Sequence, residues 1–121
     1  MNHTNNEFYS LAKFKELSRG DGKFFKILLE KFISSTSEVL EEIIVSQKQK
    51  DLAKLKAMAH KIKPSVEMLC VTRMSELINF IQDGNSDPDI AFKFSEELIV
   101  ISTKLLKGLK QELKKESVIG I

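Results

Sequence analysis

Features that would point to a disulfide, a cysteine metal site or a membrane are scarce in this 121-residue sequence. Cys70 is the only cysteine, so no internal disulfide or cysteine-based metal site can form, and a reducing, cytoplasmic setting fits best. No unbroken apolar run is longer than Leu98–Ile101, which is far below the length of a membrane span. The polar start MNHTNN lacks the charged and apolar regions of a signal peptide, and we expect no membrane partner.

Excess charge of one sign is also lacking. The net charge is only +2, and the lysines are spread among glutamates instead of forming one block, so we expect no nucleic-acid partner. The 42% of hydrophobic and 30% of charged residues are typical of an ordinary soluble globular protein. A chain of this length can bury one continuous core. We therefore expect a single domain over residues 1–121, with an ordered core at about 8–114 and flexible termini.

Apolar residues recur at spacings of three and four, and no segment alternates with period two, so the sequence predicts helices and no sheet. A short amphipathic segment over Phe8–Leu17 stops at the letters SRGDG. There Gly20 can end one helix and Asp21 can cap the next. The apolar stripe after this cap predicts a long helix over about 21–47.

Three further stripes follow. Asp51 is a second candidate cap, and the stripes after it cover Leu52–Leu69, Met74–Ile81 and Phe94–Leu113. The segment between the last two stripes, DGNSDPD, is rich in turn residues and is predicted to be a loop. Its proline can begin the next helix. Four stripes joined by short turns predict an all-α fold, an antiparallel four-helix bundle with an additional short N-terminal helix across one end.

His60 stands inside the stretch AHKIKPSVEML. Steps of about 100° per residue place it roughly 130° from the mean direction of its helix's apolar stripe, on the solvent side. Its neighbours at helical spacing are Ala53, Lys56, Ala57, Lys63, Pro64 and Glu67. The alanines and the proline have short side chains, so a partner can approach this surface closely. Lys56, Lys63 and Lys61 carry positive charge that favours an added anion. The spacing suits neither a hydrolytic triad nor a metal site.

The order of these residues resembles that of a histidine-containing phosphotransfer (HPt) domain. The run GDGKFFKILLEKFISSTSEVLEEI, followed after a polar turn by LAKLKAMAHKIKPS, is similar to the family's pattern over about Phe8–Leu113. The pattern has Gly-Asp before an apolar helix with paired leucines and a phenylalanine, then Ala-His with lysine three residues on. The matching residues are Gly20, Asp21, Phe25, Leu28, Leu29, Phe32, Ala59, His60 and Lys63.

Two residues depart from the family's pattern. Pro64 and Cys70 stand where the family often has glycine, and small residues there allow a receiver domain to come close. Pro64 removes the helical hydrogen bond to the carbonyl of His60, so we expect the helix to bend or loosen there. The apolar stripe continues in phase beyond it, and we therefore expect the helix not to end there. We interpret Cys70 as a small apolar residue at a helix boundary.

The resemblance implies phosphoryl relay in two-component signalling by a phosphocarrier without an independent catalytic site. His60 would accept a phosphoryl group from the aspartyl phosphate of a response-regulator receiver domain, or of a hybrid histidine kinase, and pass it to another receiver. We expect no cofactor, because the receiver would bring the magnesium. The residues that would stabilise the phosphoryl group are Lys63, Lys56, Lys61 and Ser65. The residues that would form the receiver-docking surface are Ala53, Ala57, Pro64 and Glu67.

Two alternatives remain open. The departures at Pro64 and Cys70 motivate a non-phosphorylated adaptor that docks to a receiver or a histidine kinase, although an adaptor has no reason to keep His60 and Lys63. A helical nucleic-acid module has only the modest basic charge in its favour, with no aromatic or arginine cluster behind it.

Overall fold

The computed structural model describes residues 8–83 and 87–119, with side chains through residue 115. Its five helices are α1 Ala12–Ser18, α2 Gly22–Gln49, α3 Leu52–Met68, α4 Thr72–Gln82 and α5 Pro88–Ile119. The described ranges contain no strand, which confirms the predicted all-α class. The polar start MNHTNN and the middle of the predicted DGNSDPD loop lie outside these ranges.

Helices α2 to α5 form a four-helix bundle in which each packs against its neighbours in the chain and α5 closes against α2. Helix α3 therefore lies between α2 and α4 and diagonally opposite α5, while α1 packs against α2. The core is built from the predicted apolar stripes, and its fully buried members include Leu29, Ile43, Leu55, Ile62, Leu77, Leu98 and Leu105.

Side chains cap the two helices that frame the bundle's first turn. The Asp21 carboxylate accepts hydrogen bonds from the backbone N–H groups of Lys23 and Phe24 at 3.0 and 3.2 Å. The Asp51 carboxylate accepts one from the N–H of Lys54 at 3.0 Å. Both predicted caps are confirmed, and each satisfies backbone donors that the first turn of a helix leaves without a partner.

The N-terminal segment differs from its prediction, because α1 begins at Ala12 and not at Phe8. The preceding residues leave the helical path to reach the core. The backbone N–H of Ser10 donates to the carbonyl of Leu69 at 2.8 Å, and the Tyr9 ring is only 6% exposed. Burying an aromatic ring and pairing a backbone donor across the bundle outweigh one more turn of a short helix.

Helix α3 does not end at Pro64 but continues to Met68, as predicted, while the expected bend at the proline stays a prediction. Val66 and Leu69, which follow the proline, are fully buried, so the apolar stripe stays in phase with Leu55 and Ile62. Packing of this stripe compensates for the hydrogen bond that the proline cannot donate. No helix in the described ranges is long and apolar enough to cross a membrane.

Candidate functional site

His60 lies on the outer face of α3, about midway along the helix, and its side chain is exposed. Ala59 and Ile62, its neighbours toward the bundle axis, are buried in the core. The side chain therefore points away from a rigid, packed helix. This placement agrees with the direction predicted from the sequence.

Six predicted neighbours share this face. Steps of about 100° per residue place all of them within about 60° of His60 around the helix. With His60 they form a surface that we call the His60 face, which consists of Ala53, Lys56, Ala57, His60, Lys63, Pro64 and Glu67. Lys56 and Lys63 are half-buried on one side of it, while the remaining members are exposed. The face thus presents short side chains around one imidazole, with two ammonium groups along one edge.

Lys61 and Ser65 lie elsewhere on α3. They are about 100° and 140° around the helix from His60, and both line a groove between α2 and α3 with a volume of about 440 Å³. The predicted phosphoryl-stabilising residues therefore fall into two groups. Lys56 and Lys63 flank His60 directly, while Lys61 and Ser65 can reach toward it only from the groove.

The wall that α2 contributes to this groove is acidic. It carries Glu38, Glu41 and Glu42, and the Lys54 Nζ lies 2.5 Å from Glu42 Oε1. These carboxylates offset the charge of Lys61, which lines the same groove. Their spacing on α2 indicates that they are exposed but not which helix they face, so the sequence alone does not place them beside Lys61.

Two apolar side chains, Leu17 and Met68, adjoin the His60 face at the end of α3, in a depression that the charged Glu16 also lines. Met68 follows Pro64 by about one turn, and it lines a shallow depression together with Leu17, Lys13 and Arg19 of the α1 region. Leu17 is 54% exposed, so it lies on the side of α1 that faces away from the bundle. Sequence periodicity could not place Leu17 here, since it contains no information on how α1 crosses the end of α3.

Pro64 and Cys70 have distinct structural consequences. Pro64 has no N–H to donate to the His60 carbonyl four residues earlier, so a backbone acceptor without its helical donor lies on the His60 face. Cys70 is exposed, lies beyond the end of α3 and has a φ of 59°, in the left-handed region. A glycine at that position would suit the backbone turn.

The described residues contain no group of three or more histidine, cysteine, aspartate or glutamate side chains arranged to hold a metal ion. The carboxylates of the α2 wall do not form one.

Comparison with known proteins gives one result. The family model described as Hpt domain matches residues 27–116, a range that includes most of α2 and all of α3 and α4. His60, Lys63 and Pro64 all lie within the matched range. Neither the curated proteins nor the solved structures gave a match to the chain.

Proposed function

Because the chain belongs to the Hpt domain family, whose members are phosphocarrier modules of two-component signalling, we propose that His60 is its phosphoacceptor. In this proposal His60 accepts a phosphoryl group from the aspartyl phosphate of a receiver domain, either in a response regulator or attached to a histidine kinase. It then passes the group to the aspartate of a second receiver. The single cysteine and the absence of a spanning helix in the described ranges fit a cytoplasmic carrier.

The exposure of His60 in the middle of α3 is the observation that carries this proposal. The chain's other histidine, His3, lies outside the described residues. Ala57 lies about one turn and Ala53 about two turns before His60, and their short side chains let the backbone of a docking domain approach closely. A phosphoryl donor and acceptor must come within about 3–3.5 Å before the transfer can begin.

The transfer is a substitution at phosphorus. A ring nitrogen of His60 supplies the electron pair for the new N–P bond, while the P–O bond of the acyl phosphate breaks and the receiver's carboxylate leaves with its electrons. The reverse reaction loads a second receiver. The chain contributes a positioned nucleophile, and the divalent cation that offsets charge on the phosphoryl oxygens belongs to the receiver.

Lys56 and Lys63 are the side chains best placed to assist. Both flank His60 on the same face, so an ammonium group can approach the phosphoryl oxygens and form charge-assisted hydrogen bonds. Lys61 and Ser65 would act from the α2–α3 groove, and Glu38 and Glu41 oppose Lys61 there. We therefore assign the larger share of phosphoryl stabilisation to Lys63 and Lys56.

We propose that a receiver docks on the His60 face and on the adjoining Leu17 and Met68. Burial of these two apolar side chains would contribute binding affinity, and the alanines with Pro64 and Glu67 would contribute shape complementarity. Such a division is usual in protein interfaces, where a few large apolar groups supply most of the binding energy.

Phosphoryl transfer from a receiver tests the proposal. A receiver from the same organism is phosphorylated with a small phosphodonor in the presence of magnesium and mixed with the protein. We expect acid-labile, alkali-stable phosphate on the protein and a matching loss from the receiver. If every receiver tested binds without transferring phosphate, the protein is a docking adaptor and the proposal fails.

A further inference from the structure

The α2–α3 groove contains a buried hydroxyl group without a hydrogen-bond partner. Thr36 lines the groove from α2 and is only 2% exposed, and its Oγ1 forms no hydrogen bond in the described part of the chain. A buried polar group without a partner lowers stability and calls for a specific explanation. Ser102 on α5 also has such a hydroxyl, but it does not line the groove. Thr36 is therefore the one of the two that a molecule in the groove can approach.

The carboxylates of the groove outnumber its ammonium groups. Its α2 wall carries Glu38, Glu41 and Glu42. Glu42 is paired with Lys54, and Lys61 lines the groove from α3. Glu38 and Glu41 form no ion pair within the described ranges. Three carboxylates thus face two ammonium groups, and the one negative charge in excess favours a monovalent cation.

Apolar side chains and further hydroxyl groups complete the lining of the groove. Val39, Met58 and Ile62 contribute the apolar part, and Ser35 and Ser65 add one hydroxyl on each helix. A ligand with a short aliphatic chain and a charged end can use both kinds of contact. The chain packs against the methyl and thioether groups, while the charged end reaches the oxygen atoms.

We propose that the α2–α3 groove binds a primary alkylammonium ion, carried by a small molecule. A primary ammonium group has three N–H donors, and the Glu38 carboxylate and the Thr36 hydroxyl provide acceptors for it. Binding would give the Thr36 Oγ1 the donor that it lacks and would neutralise the carboxylate charge in excess. The site lies on the α2 side of α3, apart from the His60 face, and does not depend on phosphoryl transfer.

The acceptors of the groove select among cations. A quaternary ammonium ion carries the same charge but has no N–H, so it cannot pair with the Thr36 hydroxyl. A divalent metal ion needs several oxygen ligands at once. The described residues contain no group of three or more carboxylate, histidine or cysteine side chains arranged to hold one. A cation with N–H donors therefore fits the groove best.

A titration followed by nuclear magnetic resonance tests the proposal at pH 7, where a primary alkylamine is protonated. The probe is n-butylamine. We expect saturable shifts of the Thr36, Val39 and Met58 methyl signals, with a dissociation constant on the order of 1 mM for a ligand of this size. The n-butyltrimethylammonium ion has the same chain and charge without an N–H donor, and it should bind about tenfold more weakly.

Three variants identify the groups that bind the amine. Thr36→Val keeps the shape of the side chain and should weaken binding about fivefold, while it raises the melting temperature of the free protein by removing an unpaired hydroxyl. Glu38→Gln removes a carboxylate charge and should weaken binding about tenfold. Glu96→Gln makes the same change on the exposed side of α5 and should leave binding unaltered. Circular dichroism establishes that each variant is folded.

Several results would overturn the proposal. One is the lack of saturable shifts in the groove at n-butylamine concentrations about tenfold above the expected dissociation constant. Others are a Thr36→Val protein that binds the amine as the wild type does, and equal binding of the two probes, since charge alone would then explain it. Nα-acetyl-lysine amide presents the same ammonium group as a protein side chain, and it should bind no more tightly than n-butylamine. Much tighter binding of this blocked lysine would assign the groove to a protein partner instead of a small molecule.

Discussion

Pro64 stands one helical turn after His60 on the same exposed face of α3, and the helix continues past it to Met68. The proline therefore interrupts the backbone hydrogen bonding beside His60 without interrupting the helix. Burial of Val66 and Leu69 holds the last turn in place. The bond that is missing is the one that would engage the His60 carbonyl.

Replacement of this proline should stabilise the protein. Pro64→Ala restores the N–H donor and removes the clash of the ring with the preceding turn, so we expect the free energy of unfolding to rise by about 1–3 kcal/mol. Pro64→Gly restores the same donor but costs about 1 kcal/mol relative to alanine. Urea denaturation should place the variants in the order alanine, glycine, proline, and both should still accept phosphate. An alanine variant less stable than the wild type would show that the ring makes compensating contacts.

Cys70 should be a second site of stabilisation. Its φ of 59° is unfavourable for a residue with a side chain, and the side chain is exposed, so little packing is lost on its removal. Cys70→Gly should raise the unfolding free energy by about 0.5–1 kcal/mol. Cys70→Ala keeps the strained conformation and should change stability by less than about 0.5 kcal/mol. Thermal unfolding of the pair under reducing conditions measures the difference, and equal melting temperatures would contradict the assignment of strain.

The two lysine groups around His60 should differ in their effect on transfer. Lys63→Ala removes an ammonium group that flanks the imidazole and should slow phosphoryl uptake by up to about tenfold. Lys61→Ala removes one that faces the acidic α2 wall and should have a smaller effect. Single-turnover transfer from a phosphorylated receiver gives both rates. A larger defect for the Lys61 variant would contradict this assignment and indicate that the assisting ammonium group acts from the α2–α3 groove.

Tyr9 should make stability depend on alkaline pH. Burial of the ring raises the pKa of its phenol, and the charge of Glu112 raises it further. The unfolded chain titrates at about pH 10 and so loses this proton first as pH rises. The stabilisation is therefore complete below about pH 10 and is lost as pH rises through the higher pKa of the folded state. Urea midpoints measured at about pH 9 and 11 should fall less in Tyr9→Phe than in the wild type. Equal decreases would contradict this role for the phenol.

Helix periods and caps are local properties, and they predicted most of the fold. The sequence predicted the apolar stripes of α2 and α3 and the caps Asp21 and Asp51, because each depends on residues within one or two turns. The outward direction of His60 followed from the same periodicity. The resemblance to HPt domains then connected that direction with a function.

The sequence did not predict how the helices pack against one another. The start of α1 was placed too early because Tyr9 and Ser10 are held by contacts with distant parts of the chain. Lys61 faces acidic side chains and Lys63 does not, because α2 brings Glu38 to one side of α3 only. The adjacency of Leu17 to Met68 depends likewise on how α1 crosses the bundle.

The central claim is that His60 carries the phosphoryl group, and a comparison of the two histidine variants tests it most directly. His60→Gln changes an exposed side chain, so the fold should survive with a change within about 0.5 kcal/mol. Mixed with a phosphorylated receiver and magnesium, this variant should take up no acid-labile phosphate, while His3→Gln should be loaded as the wild type is. Phosphohistidine on the His60→Gln protein, with loss of labelling in His3→Gln, would contradict the account.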